Sequence, residues 1–303
     1  MAKRYHQAIL VSCEIPWDED GELLEDTFRQ EVRATLKDFN NLYIFGTAGE
    51  GHAVTNSRFK EIVAIFREET DKDDVYPMVG VISLSTPLVV ERVGIAYDIG
   101  FRTFQITMPS WEALNDVESL TFFKDVCGSF PDARFLHYNL ERQKRVLLGA
   151  EYQRLEEAVP NLVGSKNTRT DIRDIVDIAT HTSEMQHFWG EHGFALGCLF
   201  DECSLLSSWG GLFPTKTKEY FGYGVTGQIE KLFRMLAEYL TVMNEFRATY
   251  AGLKRIDGTG DKMRVRASGI DMPLRLLSPY QGADMETYEE FIAVCDRFQD
   301  WLG

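Results

Sequence analysis

The chain has 303 residues, 44% hydrophobic and 26% charged, a composition that supports a substantial core and excludes a disordered, collagen-like or small disulfide-stapled protein. Its 32 basic and 47 acidic residues give a formal charge of −15, whose field repels phosphate polyanions and anionic lipid. The expectation is therefore no nucleic acid and no membrane partner, and a small anionic substrate needs a locally positive site.

At the N-terminus only Ala8 to Val11 form an apolar run, too short for a signal peptide or a span, so the expected location is cytoplasmic. In chain order, short apolar, β-branched or aromatic runs predict strands over 8–13, 42–45, 76–81, 103–107, 134–138, 162–166, 184–188 and 203–207. Between and after them, helical spacing predicts helices over 25–39, 56–69, 87–99, 117–127, 150–158, 171–179, 193–201 and 215–221. Asn56 is placed as an N-cap and Pro87 in a first turn. Gly222, Gly224 and Gly227 then interrupt the pattern, and three further helices are predicted near 228–250, 262–268 and 285–302. The fold class is α/β: a (β/α)8 TIM barrel over 1–224 with a C-terminal three-helix extension over 225–303. The competing open doubly wound sheet wants a phosphate-binding turn after its first strand, where this chain has Cys13-Glu14-Ile15-Pro16. The five cysteines (Cys13, Cys127, Cys198, Cys203, Cys295) sit in apolar surroundings and read as reduced buried thiols.

Three segments carry the chemistry. In Leu162-Val163-Gly164-Ser165-Lys166 a lysine ends an apolar strand, whereas the other eleven lysines occupy contexts with evident access to water. Catalytic groups of a barrel project from the C-terminal ends of its strands, and apolar walls disfavour the ammonium, making the amine a nucleophile for a ketone. The alternative places Lys166 one residue past the strand, in solvent. His137-Tyr138-Asn139 ends the preceding strand, close enough for the Tyr138 hydroxyl to approach the amine and pass protons; the alternative is an interior tyrosine with a satisfied hydroxyl. Gly46-Thr47-Ala48-Gly49-Glu50-Gly51 lacks the dinucleotide spacing, and offers backbone N–H groups and the Thr47 hydroxyl to a carboxylate, or is only a turn.

These segments, in this order, resemble the dihydrodipicolinate synthase/N-acetylneuraminate lyase family of class I aldolases, whose motifs are G-[TS]-T-G-E, Y-N-x-P and G-x-K. Here they read Gly46-Thr47-Ala48-Gly49-Glu50, Tyr138-Asn139-Leu140-Glu141 and Gly164-Ser165-Lys166. The resemblance implies that Lys166 forms a Schiff base with a 2-keto acid, that Tyr138 shuttles protons, and that the turn at Thr47 and Ala48 holds the carboxylate. It also implies no cofactor, no metal, and a homotetramer or homodimer. Thr168 and Ser208 match substrate-binding positions of the lyase branch.

Departures accompany the match. Ala48 replaces a threonine, Met108-Pro109-Ser110-Trp111 replaces T-P-Y-Y, Gln143 stands where the synthases have arginine, and Gly190-Glu191-His192-Gly193 replaces the lyase branch's G-x-D-E. The expected activity is an aldolase or dehydratase on a pyruvate-type or keto-sugar acid. The alternatives are authentic dihydrodipicolinate synthase, or a keto-acid-binding paralogue with weakened catalysis. No zinc, serine-hydrolase or P-loop spacing occurs.

Overall fold

Eight short runs rich in β-branched and aromatic residues pair side by side in the computed structural model, which describes residues 2–302. They are β1 (Ile9–Ser12), β2 (Asn41–Ile44), β3 (Met78–Val81), β4 (Thr103–Ile106), β5 (Arg134–Asn139), β6 (Leu162–Asn167), β7 (Gln186–Trp189) and β8 (Ser204–Ser207). All pairings are parallel and sequential, and β8 returns to β1, so the sheet closes into a barrel. The crossover helices are α1 (Glu25–Thr35), α2 (Asn56–Thr70), α3 (Thr86–Asp98), α4 (Asp116–Gly128), α5 (Gly149–Ala158), α6 (Ile172–His181), α7 (Glu191–Gly197) and α8 (Pro214–Val225). This is the (β/α)8 TIM barrel read from the sequence. Beyond it lie α9 (Ile229–Tyr250), α10 (Gly258–Ala267), α11 (Met285–Arg297) and a single turn, α12 (Gln299–Leu302). Among the described residues no helix is long and apolar enough to cross a membrane.

Several boundaries differ for local reasons. The α2 N-cap is Thr55, whose hydroxyl accepts from Arg58 N, and Asn56 is the first helical residue. α8 continues through Gly222 and Gly224, because a Cβ on Gly224 would come 2.5 Å from the Phe194 ring: that glycine lets α8 approach α7. The chain leaves the helix at Gly227, where φ is +68°. The helix predicted over 285–302 is interrupted at Phe298.

Alternation along the strands sorts two cores. Val11, Leu42, Ile44, Val79, Val81, Phe104 and Ile106 pack outward against the helices, while Leu10, Tyr43, Met78, Leu136, Val163, Phe188 and Leu206 fill the barrel. A bulge between β5 and β6 pairs Phe135 with Leu162 but Leu136 with Gly164. That extra residue brings Lys166 alongside Tyr138, in phase with the inward-facing Leu136. Gly164 is required there, since a Cβ would come 2.1 Å from the Gln186 carbonyl oxygen. A third core of Trp209, Phe213, Tyr239, Phe246, Phe291 and Trp301 fastens α9 and α11 to the loop after β8. Its rings pack closely, as with Phe246 and Phe291, tilted against each other at 4.6 Å between centroids, and this packing carries α10 over the C-terminal ends of the strands.

Candidate active site

A cavity of about 540 Å³ opens at the C-terminal ends of the strands, and Lys166, Tyr138, Thr47, Ala48, Thr168 and Ser208 all line it. Lys166 is inside β6, paired in register with Tyr138 on β5 and Phe188 on β7, and is only 2% exposed. The strand does not end early enough to place it in solvent. Burial pulls its pKa down from 10.5 to about 7, with the charges of Glu14 and Asp257 pulling partly the other way. Its amine lies 3.8 Å from the Tyr138 ring centroid and 4.2 Å from that of Tyr43. The hydroxyl bonded to the amine belongs to Tyr43, at 2.9 Å. Tyr138 presents its ring face, and burial raises its phenol pKa while a hydrogen bond with the Thr47 side chain partly offsets the rise.

The turn after β2 passes directly over the amine. A Cβ on Gly46 would stand 2.8 Å from the Tyr43 ring and 3.3 Å from Lys166 Nζ, so only glycine lets the chain cross there. The strand ends because Phe45 adopts a left-handed φ of 59°, and Glu50 N–H donates to the Thr47 carbonyl at 3.2 Å to close the turn. Among the described residues, the Thr47 and Ala48 N–H groups have no protein acceptor, which leaves both available to a carboxylate. Thr168 and Ser208 are exposed at the rim. Ser208 N–H donates to Glu191 Oε1 at 3.0 Å, so the segment replacing G-x-D-E still supplies one carboxylate to the wall.

Several contributors were not singled out from sequence. Tyr43 sits on β2 in an apolar run, where it reads as core. Arg247, Arg255, Asp257, Asp261 and Arg264 reach the cavity only because α9 and α10 fold back over the barrel. Arg264 pairs with Asp261 and Arg142 with Asp257, the latter at 2.8 Å. Burial pushes the Asp257 carboxyl up, but Arg142 outweighs it and holds the group below its ordinary value. Arg247 has no ion-pair partner among the described residues, and Arg255 donates only to the Gly282 carbonyl, at 3.2 Å. The signal that could have found them is weak: a cationic cluster within an acidic chain, spread over two helices and the connection between them.

The departures resolve in structural terms. Gln143 turns into the protein, accepting Met108 N–H at 3.1 Å and contacting His137 Nε2 at 3.0 Å, so it does not face the cavity. Trp111 is 81% exposed. The expectation that all other lysines are solvated is corrected by Lys262, which is fully buried and paired with Glu50 Oε1 at 2.8 Å. Glu50 is further held by Trp17 Nε1 at 2.7 Å and Leu277 N at 2.6 Å. The motif glutamate thus anchors α10, and its carboxylate offsets part of the burial that would neutralise Lys262.

The model of the dihydrodipicolinate synthetase family matches residues 6–294. No curated protein matches the chain in sequence. Among solved structures, dihydrodipicolinate synthase from Thermotoga maritima is 19% identical, with 96% of this chain and 98% of that one covered at a TM-score of 0.84. The prophage protein YagE of E. coli K12, solved with pyruvate, is 15% identical over 97% of this chain and 98% of its own, at 0.85. CdNal from Clostridium difficile, solved with mannosamine, is 16% identical over 97% and 99%, also at 0.85. At these identities the likeness shows the fold, while the family model spans nearly all of the described chain, motifs included. The chain belongs to the dihydrodipicolinate synthetase family and is an enzyme of its lyase and synthase type.

Proposed function

We propose that the protein is a class I aldolase or dehydratase in which Lys166 forms an imine with the carbonyl of a 2-keto acid. The amine attacks the carbonyl carbon, the carbinolamine loses water, and the protonated imine withdraws the electron pair released when a carbon–carbon bond breaks, or when the carbon beside the imine loses a proton and the enamine formed expels a β-substituent. Tyr138 moves protons at the substrate, and Thr47 with the Thr47 and Ala48 N–H groups orients the carboxylate. Thr168 and Ser208 meet the substrate's remaining polar groups. The observation that carries this reading is a buried lysine amine, its pKa pulled down to about 7, that lines a cavity of about 540 Å³ beside Tyr138.

The roof favours an anionic or polyhydroxylated tail, because Arg247 and Arg255 face the cavity without carboxylate partners. Authentic dihydrodipicolinate synthase fits less well, since the exposed Trp111 has no hydroxyl and Gln143 points away. The weakened keto-acid-binding paralogue rests on Ala48 and Trp111, yet the Thr47 and Ala48 N–H groups have no protein acceptor among the described residues. Trp111, Leu84 and Leu88 expose apolar surface around the loops after β3 and β4, which supports a homotetramer or homodimer. Five free cysteines fit the cytoplasm. Residues 225–303 act as a roof extension to the barrel of 1–224.

Replacing Lys166 by alanine tests the assignment. The fold is retained by circular dichroism, and turnover of any 2-keto acid accepted by the wild type is lost. Near wild-type turnover in that variant would refute the role of Lys166.

A further inference from the structure

Strand β1 ends at Ser12, with Cys13 and Glu14 following it, and the polar pair Ser12 and Glu14 has no part in the scheme above. Ser12 is the register partner of Tyr43 and lines the same cavity, and its hydroxyl partly offsets the burial that raises the pKa of the Tyr43 phenol. Its hydroxyl donates to Glu14 Oε1 at 2.7 Å, while Lys166 Nζ donates to Tyr43 Oη at 2.9 Å. Glu14 is 2% exposed, and its other oxygen, Oε2, has no hydrogen-bond partner among the described residues. A buried carboxylate with an orphan oxygen is costly, so its retention beside a reactive amine calls for a use. Taking the Lys166 amine as the nucleophile, as in the reading above, we propose that Tyr43, Ser12 and Glu14 form a proton wire that deprotonates it and later returns the proton.

Each link moves one proton. Lys166 Nζ gives a proton to Tyr43 Oη, Tyr43 gives its own to Ser12 Oγ, and Ser12 gives its own to Glu14 Oε1. An ammonium and a carboxylate become an amine and a carboxylic acid, with no net charge created. On the return, the proton reaches the carbinolamine hydroxyl, which leaves as water, and the nitrogen lone pair forms the iminium bond. Tyr43 touches the reacting nitrogen and is a catalytic residue; Ser12 and Glu14 act through it as positioning residues.

The charges facing Glu14 suit this role. From α1 comes Glu31, whose Oε1 accepts Glu14 N–H at 2.6 Å; from α10 come Lys262 and Arg264, and from β6 Lys166. Burial raises both carboxyls, and Glu31 is pushed further by the adjacent Glu14 charge. Glu14, bonded by Ser12 and faced by three cations, is the member of the pair that carries the charge.

The test needs no natural substrate. Formaldehyde with cyanoborohydride methylates lysines through an imine, and peptide mapping reads Lys166 against the exposed Lys60 at pH 7. If Glu14 acted only as a charge, Glu14→Gln would release the ammonium and speed methylation. The wire requires the opposite: Glu14→Gln and Ser12→Ala each slow Lys166 on the order of tenfold, and Glu14→Asp restores most of the rate. Ser12→Ala loses one hydroxyl at a half-buried position, and its unchanged melting temperature separates the effect from unfolding. An unchanged or faster rate in either Glu14→Gln or Ser12→Ala, or no rescue by aspartate, overturns the proposal. Failure of every 2-keto acid to react at Lys166 would instead count against the proposed function, leaving this readout intact.

Discussion

In the proposed imine chemistry, the burial of Lys166 sets the pH range of the reaction. An ordinary lysine is almost wholly protonated at neutrality, whereas a group titrating at about 7 is half free amine there. The rate of imine formation with a 2-keto acid should therefore rise through pH 7 and level off above it, a profile that stopped-flow trapping can read; a rise centred near 10 would mean an ordinary amine. The same shift has a stability consequence. The unfolded chain holds this proton up to roughly pH 10.4, and the folded one releases it near 7, so the unfolded state binds more protons between those values and stability rises with pH across them. Lys166→Met removes that cost. It should stabilise the protein by on the order of a few kcal/mol below pH 7, with the gain shrinking towards pH 10, as urea titrations at several pH values would show. The residue itself was legible as a lysine closing an apolar strand. Tyr43 was not, because one aromatic in a buried strand carries no mark that its hydroxyl meets an amine.

At the scale of elements, two features hold the site. The β5–β6 bulge puts Lys166 in phase with Tyr138, and Gly164 permits β6 to lie against β7. Gly164→Ala sets a Cβ against backbone, where nothing flexible can yield; loss of the cooperative unfolding transition, or of any labelling at Lys166, is the expected result. The second feature is the buried Glu50–Lys262 pair that docks α10. Glu50→Gln strips Lys262 of its carboxylate partner and leaves the buried amine only the Arg275 carbonyl, at a cost of about 3–5 kcal/mol in chemical denaturation, and adding Lys262→Met recovers part of it. The strands and helices could be read from periodicity, since each βα unit sorts its own apolar face. The bulge, the closure of α8 past Gly222 and the burial of Lys262 could not. Each depends on what another element presents: the Gln186 carbonyl, the Phe194 ring and the Glu50 carboxylate.

At the scale of the whole molecule, a chain of net charge −15 folds its C-terminal helices so that Arg247, Arg255 and Arg264 face one cavity. In the proposed reaction the barrel supplies the reacting groups, and the segment beyond it supplies the positive charge that meets the substrate. Arg247→Ala should raise KM for an anionic keto acid about tenfold with little change in kcat, and steady-state kinetics at two salt concentrations would show the wild-type advantage fading as salt increases. This division explains why the sequence named the chemistry more readily than the substrate. Each of the three motifs is a short run at the end of one strand, β2, β5 or β6, whereas the roof is assembled from residues more than 80 positions beyond Lys166.

The most direct test is intact-mass spectrometry after borohydride reduction with pyruvate and a panel of longer 2-keto sugar acids, followed by peptide mapping. The account predicts one adduct per chain, on Lys166, with at least one of these acids. An adduct mapped to Lys262 or to surface lysines alone, or no adduct with any acid, would contradict it.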